Sequence, residues 1–192
     1  MLAKPFASAV VVTVCVTMVH AAPMPPRLPA IGAATSPLGF AQACADFAWL
    51  CSRPAPRMVR RMSDEWLLRT AESINSGVNR SVMPRPVSEM RWALASSTGG
   101  GDCISYSLMK LQRLLAAGVS PDAVFLANVL TEAGESHAVV IVRLATGDYV
   151  LDNLRDEILL WSATRHTVLK VQNPVQRAHW DLVLLGPRAR RS

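Results

Sequence analysis

No internal repeat runs through this chain, and beyond its first twenty residues no stretch is apolar enough to cross a membrane. Charge is sparse as well: charged residues make up 18% of the 192 positions against 51% hydrophobic, which excludes a disordered, self-repelling polymer. No nucleic-acid module accompanies the excess of 20 Lys and Arg over 14 Asp and Glu. That excess is partly local, in Arg53, Arg57, Arg60 and Arg61 and again in Arg188, Arg190 and Arg191. It reads as a solvated surface, with no nucleic-acid partner. The run Gly99-Gly100-Gly101-Asp102 lacks the Gly-Lys-Ser/Thr ending of a phosphate loop, so nucleotide chemistry has no motif to rest on.

What is present begins with an export signal. Lys4 precedes an uncharged apolar run from Pro5 to Met18, and Val19-His20-Ala21 supplies a small-residue cleavage pattern. Residues 1–21 therefore read as a secretory signal peptide, with an uncleaved anchor as the alternative. Cys15 lacks the small neighbour that a lipidation site needs. The expected location is periplasmic or secreted. Residues 22–62 read as an N-terminal extension, residues 63–187 as one catalytic domain and residues 188–192 as a basic tail. Within the extension, residues 22–38 are rich in Pro, Ala and Gly and suggest a loosely held leader.

Three cysteines remain beyond the signal: Cys44, Cys51 and Cys103. In an oxidising compartment an odd count leaves one thiol over. Cys44 and Cys51 are the expected disulfide, with two reduced buried cysteines as the alternative. A free Cys103 in an exported protein calls for a task.

From Ser63 the pattern is helical, with Trp66, Leu67, Thr70, Ile74 and Val78 at three- and four-residue spacings. Ser96 to Gly101 suggests a flexible approach to a second helix over 103–117, which carries Ile104, Leu108, Leu111 and Leu115 on one face and stops at Gly118 and Pro121. Strands are expected at 123–130, 137–144 and 149–154, with further candidates at 157–161 and 181–185. Helices first and antiparallel strands afterwards make an α+β domain.

Cys103 sits where the glycine-rich loop enters the helix. There the thiol is exposed, and the positive end of the helix dipole favours the thiolate that attacks. Unpaired N–H groups of the first turn can hold an oxyanion. His137, opening the strand HAVVIV, is the candidate general base, and Asp152 in YVLDNL is the carboxylate that would orient it. The Cys103 main-chain N–H and the Trp92 indole are the candidate oxyanion donors. Trp92 and Asp102 are also placed on the substrate side, although a place in the core is the plainer fate for Trp92. His166 and His179 have no comparable neighbours in the sequence. A hairpin turning near Thr146 and Gly147 puts Asp152 opposite about Ile141, so a contact with His137 would need an asymmetric loop, a bulge or strong twist.

These residues, together with INSGVN (74–79), Gly101-Asp102-Cys103 with Tyr106, His137-Ala138-Val139, Val150-Leu151-Asp152-Asn153, Leu160-Trp161-Ser162-Ala163-Thr164, Lys170, Gln172 and Trp180, resemble the bacterial transglutaminase-like cysteine proteinases over roughly residues 66–180. The resemblance implies a papain-like, transglutaminase-like core in which the helix bearing the nucleophile packs on an antiparallel sheet, and a Cys103–His137–Asp152 triad. It also implies a protein or peptide substrate of the surface-adhesin kind, an inner-membrane regulatory receptor, and calcium held by acidic residues flanking the nucleophile. The family pattern Gly-Asp-Cys-Glu-Asp-Tyr reads Gly101-Asp102-Cys103-Ile104-Ser105-Tyr106 here. Asp102 stays as a candidate calcium ligand, but Ile104 offers no side-chain oxygen, so no cofactor is required by the residues and calcium dependence is not expected.

The expected function is an exported cysteine hydrolase, a thiol protease acting on a periplasmic or surface protein. The same triad could instead serve a cell-wall peptide hydrolase or acyltransferase, and the same fold a non-catalytic binding protein.

Overall fold

The structure is a computed structural model that describes residues 25–52, 62–85, 92–96 and 99–189. The expected signal peptide, the Arg53–Arg61 cluster, and Arg190 and Arg191 lie outside the described residues. Among the described residues, no helix is long and apolar enough to cross a membrane.

Among the described residues, four α-helices and seven strands follow in chain order: β1 (Gly32–Ala34), α1 (Phe40–Asp46), α2 (Ala48–Cys51), α3 (Asp64–Ser81), α4 (Cys103–Ala116), β2 (Val124–Leu130), β3 (Ser136–Leu144), β4 (Gly147–Leu151), β5 (Leu159–Leu160), β6 (Thr167–Gln172) and β7 (Trp180–Leu185). One sheet takes all seven strands in the order β1-β7-β6-β2-β3-β4-β5. Every neighbouring pair is antiparallel. The chain is thus an α+β domain of helices laid on an antiparallel sheet.

The two long helices form for reasons already visible in their sequences. Ser63 caps α3 by accepting from the Trp66 N–H, Asp64 and Glu65 stand in its first turn, and Arg80 in its last, each sign matching the helix dipole. Asp102 caps α4 in the same way, its carboxylate accepting from the Ser105 N–H. Gly118, in the left-handed region at φ 91°, closes the far end. The buried stripe of α4 (Leu108, Leu111, Leu114) meets Leu67 and Ala71 of α3 and the even-numbered residues Leu126, Val140 and Val142 of the sheet. The odd-numbered Phe125, Val139 and Ile141 pack on the opposite face with Leu28 and Trp161. The two-residue alternation of the strands therefore supplies two cores.

Two features depart from the sequence reading. The leader is tied down from residue 25 onward: Trp161 Nε1 donates to Pro25 O at 3.0 Å, Asp148 N donates to Pro26 O at 2.9 Å, and Leu28 N donates to Asp148 Oδ2 at 2.9 Å. Phe40, 1% exposed, meets Trp92 and Trp180 edge-on, each at 5.2 Å between ring centres, so α1 and β1 are part of the main core. Proline and glycine here mark a strap whose polar backbone atoms find partners on the sheet. The second departure is β6, which the sequence reading passed over. Lys170 and Gln172 break its apolar alternation, yet it lies between β2 and β7. Buried Gln172 is satisfied there by Leu126 N–H and by the carbonyls of Leu50 and Arg177.

Placing Phe40 in the core predicts that Phe40→Ala lowers unfolding stability by about 3–5 kcal/mol in a denaturant titration. A loss near zero would show that the segment is a loosely attached leader.

Candidate active site

The approach to α4 determines where the nucleophile stands. Gly101 donates its N–H to Met83 O and its carbonyl accepts from Arg85 N–H, each at 3.0 Å, while Gly100 N donates to Ser96 O. A Cβ on Gly101 would fall 2.5 Å from Ser105 Cβ, and Gly100 adopts φ 66° against the Met83 carbonyl. The glycines are therefore needed for close packing, and residues 99–101 are pinned rather than flexible as their composition suggests. This delivers Cys103 to the first position of α4, half-buried and unbridged, while Cys44 and Cys51 form a disulfide.

His137 stands at the start of β3 and is buried. Its Nε2 lies 2.8 Å from Asp152 Oδ1, which leaves Nδ1 outside that bond, and the ring lines the same cleft as Cys103. Burial alone would lower the ring's pKa. The hydrogen bond to Asp152 and that group's negative charge, with Cys103 nearby, outweigh it, pushing the value up to about 9. At neutral pH the ring thus carries its proton.

Asp152 follows the last residue of β4 and is 1% exposed. Burial would raise its pKa, but hydrogen bonds from His137 and His166 and from the Leu154 N–H hold the carboxyl far below the usual range. The hairpin register explains how it reaches His137. Val140 pairs with Leu151, so Asp152 continues opposite Val139 rather than Ile141. His137 is then two residues away on the same side of the sheet, a diagonal neighbour within side-chain reach that needs no bulge.

The polar stripe of α3 holds the loop carrying this carboxylate. Asn75 Nδ2 donates to the Arg155 and Asp156 carbonyls at 3.0 and 2.9 Å. Asn79 Nδ2 donates to the Asp152 and Arg155 carbonyls and to Asp156 Oδ1. That is a physical reason for asparagines in INSGVN, whose chemistry was not legible from a helix pattern. Buried Lys110, two turns along α4 from Cys103, lies near the same carboxylates. Burial draws its pKa down to about 7 against the opposing pull of Asp152 and Asp156.

A cleft of about 220 Å³ opens on Cys103 and His137. Leu38, Trp92, Ile104, Leu126 and Trp180 give it an apolar lining, and Asn128 and Ser136 add polar groups that the sequence reading did not single out. Trp92 lines this cleft, but its indole N–H donates to Leu38 O at 2.9 Å, so it is engaged and not free for an oxyanion. Asp102 also lines the cleft while capping α4. His166, set aside in the sequence reading, instead touches Asp152: its Nε2 lies 2.8 Å from Oδ2. Its signal could have been the resemblance stretch ending at Thr164, two residues before it. His179 has no part in this cluster.

Among the described residues, His137, Asp152 and His166 are the group that could hold a metal ion, with ligand atoms within 4.8 Å of one another. The two 2.8 Å nitrogen–oxygen contacts are hydrogen-bond lengths, whereas tetrahedral ligands of one zinc stand about 3.3 Å apart. The trio is a hydrogen-bonded chain. Beside the nucleophile, Asp102 spends Oδ1 on the helix cap, Ile104 carries no side-chain oxygen and Ser105 is buried.

A model of the family described as bacterial transglutaminase-like cysteine proteinase matches residues 30–186. Among solved structures, calcium-bound LapG of Legionella pneumophila is similar at 20% identity with a TM-score of 0.54, over 68% of this chain and 75% of that one. Its EGTA-treated form aligns at 22% identity with a TM-score of 0.48, over 55% and 62%. No curated protein matches the chain.

Linkage gives one expectation. In Cys103→Ala, where Asp152 remains as the partner that raises the ring's pKa, the stability contributed by protonated His137 is fully present below its unfolded pKa of about 6.5. It is lost as pH rises through the elevated folded value, a decline on the order of 1–2 kcal/mol in denaturant titrations. Adding Asp152→Asn should flatten that slope; an unchanged slope would disconnect the two residues.

Proposed function

Because the chain belongs to the bacterial transglutaminase-like cysteine proteinases, we propose that this cysteine peptidase is exported and cleaves a periplasmic or surface protein through Cys103, His137 and Asp152. The observation carrying this reading is a cleft shared by Cys103 and His137, with the His137 ring bonded on its other nitrogen to the buried Asp152 carboxylate.

The chemistry follows from that arrangement. The Cys103 thiolate attacks a peptide carbonyl carbon, and its electrons move onto the oxygen, which the Cys103 main-chain N–H at the open end of α4 is placed to meet. Collapse of that intermediate expels the amine, which takes the proton from His137 and leaves a thioester. Water then gives a proton to His137 and attacks the thioester. The acid departs, and the proton stays on the ring opposite the restored thiolate. Asp152 keeps His137 oriented through both halves. The apolar cleft favours a substrate segment with apolar side chains beside the scissile bond. Export is supported by the Cys44–Cys51 disulfide, which suits an oxidising compartment, and by the signal-like first 21 residues. A surface adhesin as substrate and an inner-membrane receptor as regulator rest on the family resemblance alone.

Iodoacetamide should alkylate Cys103 at pH 6 at least about tenfold faster than free cysteine. Cys103→Ala should keep the fold and the disulfide yet lose hydrolysis of extracted bacterial surface proteins. A rate no faster than free cysteine, or undiminished hydrolysis in the variant, would end this reading. A separate expectation concerns calcium: neither the alkylation rate nor the unfolding temperature should change between excess calcium and EGTA. A calcium-dependent rise in either would reveal ligands other than those flanking the nucleophile.

A further inference from the structure

Asp152 is gripped from two sides, and only one grip belongs to the triad. Its Oδ1 faces His137 Nε2 at 2.8 Å and takes the Leu154 N–H at 3.0 Å. Its Oδ2 faces His166 Nε2 at 2.8 Å. The two imidazoles stand 5.8 Å apart, tilted by 56°, with the carboxylate joining them.

We propose that His166 is a positioning residue of this active site, its Nε2–H holding the second oxygen of Asp152 so that the first stays aligned on His137. This rests on the thiol-peptidase reading of Cys103, His137 and Asp152.

Three observations carry it. The first is what the ring gives up to be there. His166 is 5% exposed, and its Nδ1 is buried without a hydrogen-bond partner. An apolar side chain would fill the same space without stranding a polar atom, so packing alone does not account for a histidine. The bond to Asp152 is the one contact that uses the imidazole's chemistry. Since Oδ2 of an ionised carboxylate can only accept, that bond also assigns the ring proton to Nε2.

The second is the backbone that aims the ring. Arg165, immediately before it, adopts φ 62°, a left-handed conformation that a non-glycine residue enters at a cost. The turn is fixed on both sides. Thr164 Oγ1 donates to Trp161 O at 2.7 Å and accepts from the His166 N–H at 3.2 Å. Beyond it, Gly186 passes so close that a Cβ there would fall 2.5 Å from the His166 carbonyl. A strained turn held this firmly has the effect of directing one side chain inward.

The third is topology. His137 comes from β3, Asp152 from the end of β4, and His166 from the turn leading into β6, which lies on the other side of β2 from β3. The carboxylate is thereby fixed between segments from separate parts of the sheet. The other charges near it are Lys110, from α4, and Asp156, in its own loop. Neither bonds Oδ2.

The test reads the sulfur rather than an unidentified substrate. Iodoacetamide alkylation of Cys103 is followed from pH 4 to 10 in the full chain, in His166→Leu and in His166→Gln, whose amide N–H can reach the place of Nε2. Loss of the donor should slow alkylation at pH 6–7 about tenfold and move the alkaline limb of the profile to lower pH. His166→Gln should recover most of both. A well-folded His166→Leu with the unchanged profile would reduce His166 to a core residue. Should His166→Leu not fold, nitrogen NMR of the unsubstituted protein decides. The proposal requires a proton on His166 Nε2. The opposite tautomer, or a zinc titration in which both rings lose their N–H signals on tight binding, would overturn it. Sluggish Cys103 in the unsubstituted chain would sink the peptidase reading instead, and the NMR result would stand apart from it.

Discussion

A carboxylate taken out of water is the constraint on which the site depends. Burying an ionised group costs several kcal/mol unless charge and hydrogen bonds replace the lost hydration. Asp152 receives that replacement from His137, His166 and the Leu154 N–H. Because the donors come from different parts of the sheet, the carboxylate is compensated only when the sheet is fully assembled. The same interaction supplies the chemistry, since the negative charge that must be balanced is what keeps a proton on the ring facing Cys103.

The rest of the fold serves this arrangement at its edges. Close glycine packing brings Cys103 to the mouth of α4, and the asparagines of α3 hold the backbone from Asp152 to Asp156. The strap at residues 25–28 fastens to the β3–β4 hairpin through Asp148, itself doubly bonded by Arg143. That hairpin is the element whose register sets the distance between His137 and Asp152. Membership of the peptidase family rests on the match over residues 30–186, and these contacts supply the local geometry of the site.

Much of this was legible in the residues. The order of a cysteine before a helix, a histidine opening a β-rich run and an aspartate in the next run singled out residues that stand near one another in the fold, and the spacings located both long helices, with the bounds of α4 met to within a residue. What was not legible depended on contacts distant in sequence. The pairing register was expected two residues away from where the hairpin sets it, because turn geometry and not hydrophobicity fixes it. β6 was hidden by Lys170 and Gln172, whose partners lie in other segments, and β1 was too short for any period to show. His166 carried no signal beyond the resemblance stretch ending two residues before it: its meaning comes from a left-handed turn and a carboxylate fourteen residues upstream. Trp92 lines the cleft beside Cys103, and its indole proton is taken by a leader carbonyl that composition had marked as loose.

The most direct measurement is a nitrogen-NMR titration of the His137 ring in the full chain. The account predicts that both ring nitrogens stay protonated through neutral pH and release a proton only near pH 9. A ring that titrates near its ordinary value of about 6.5 would contradict it, because Asp152 would then not be holding the proton opposite the sulfur.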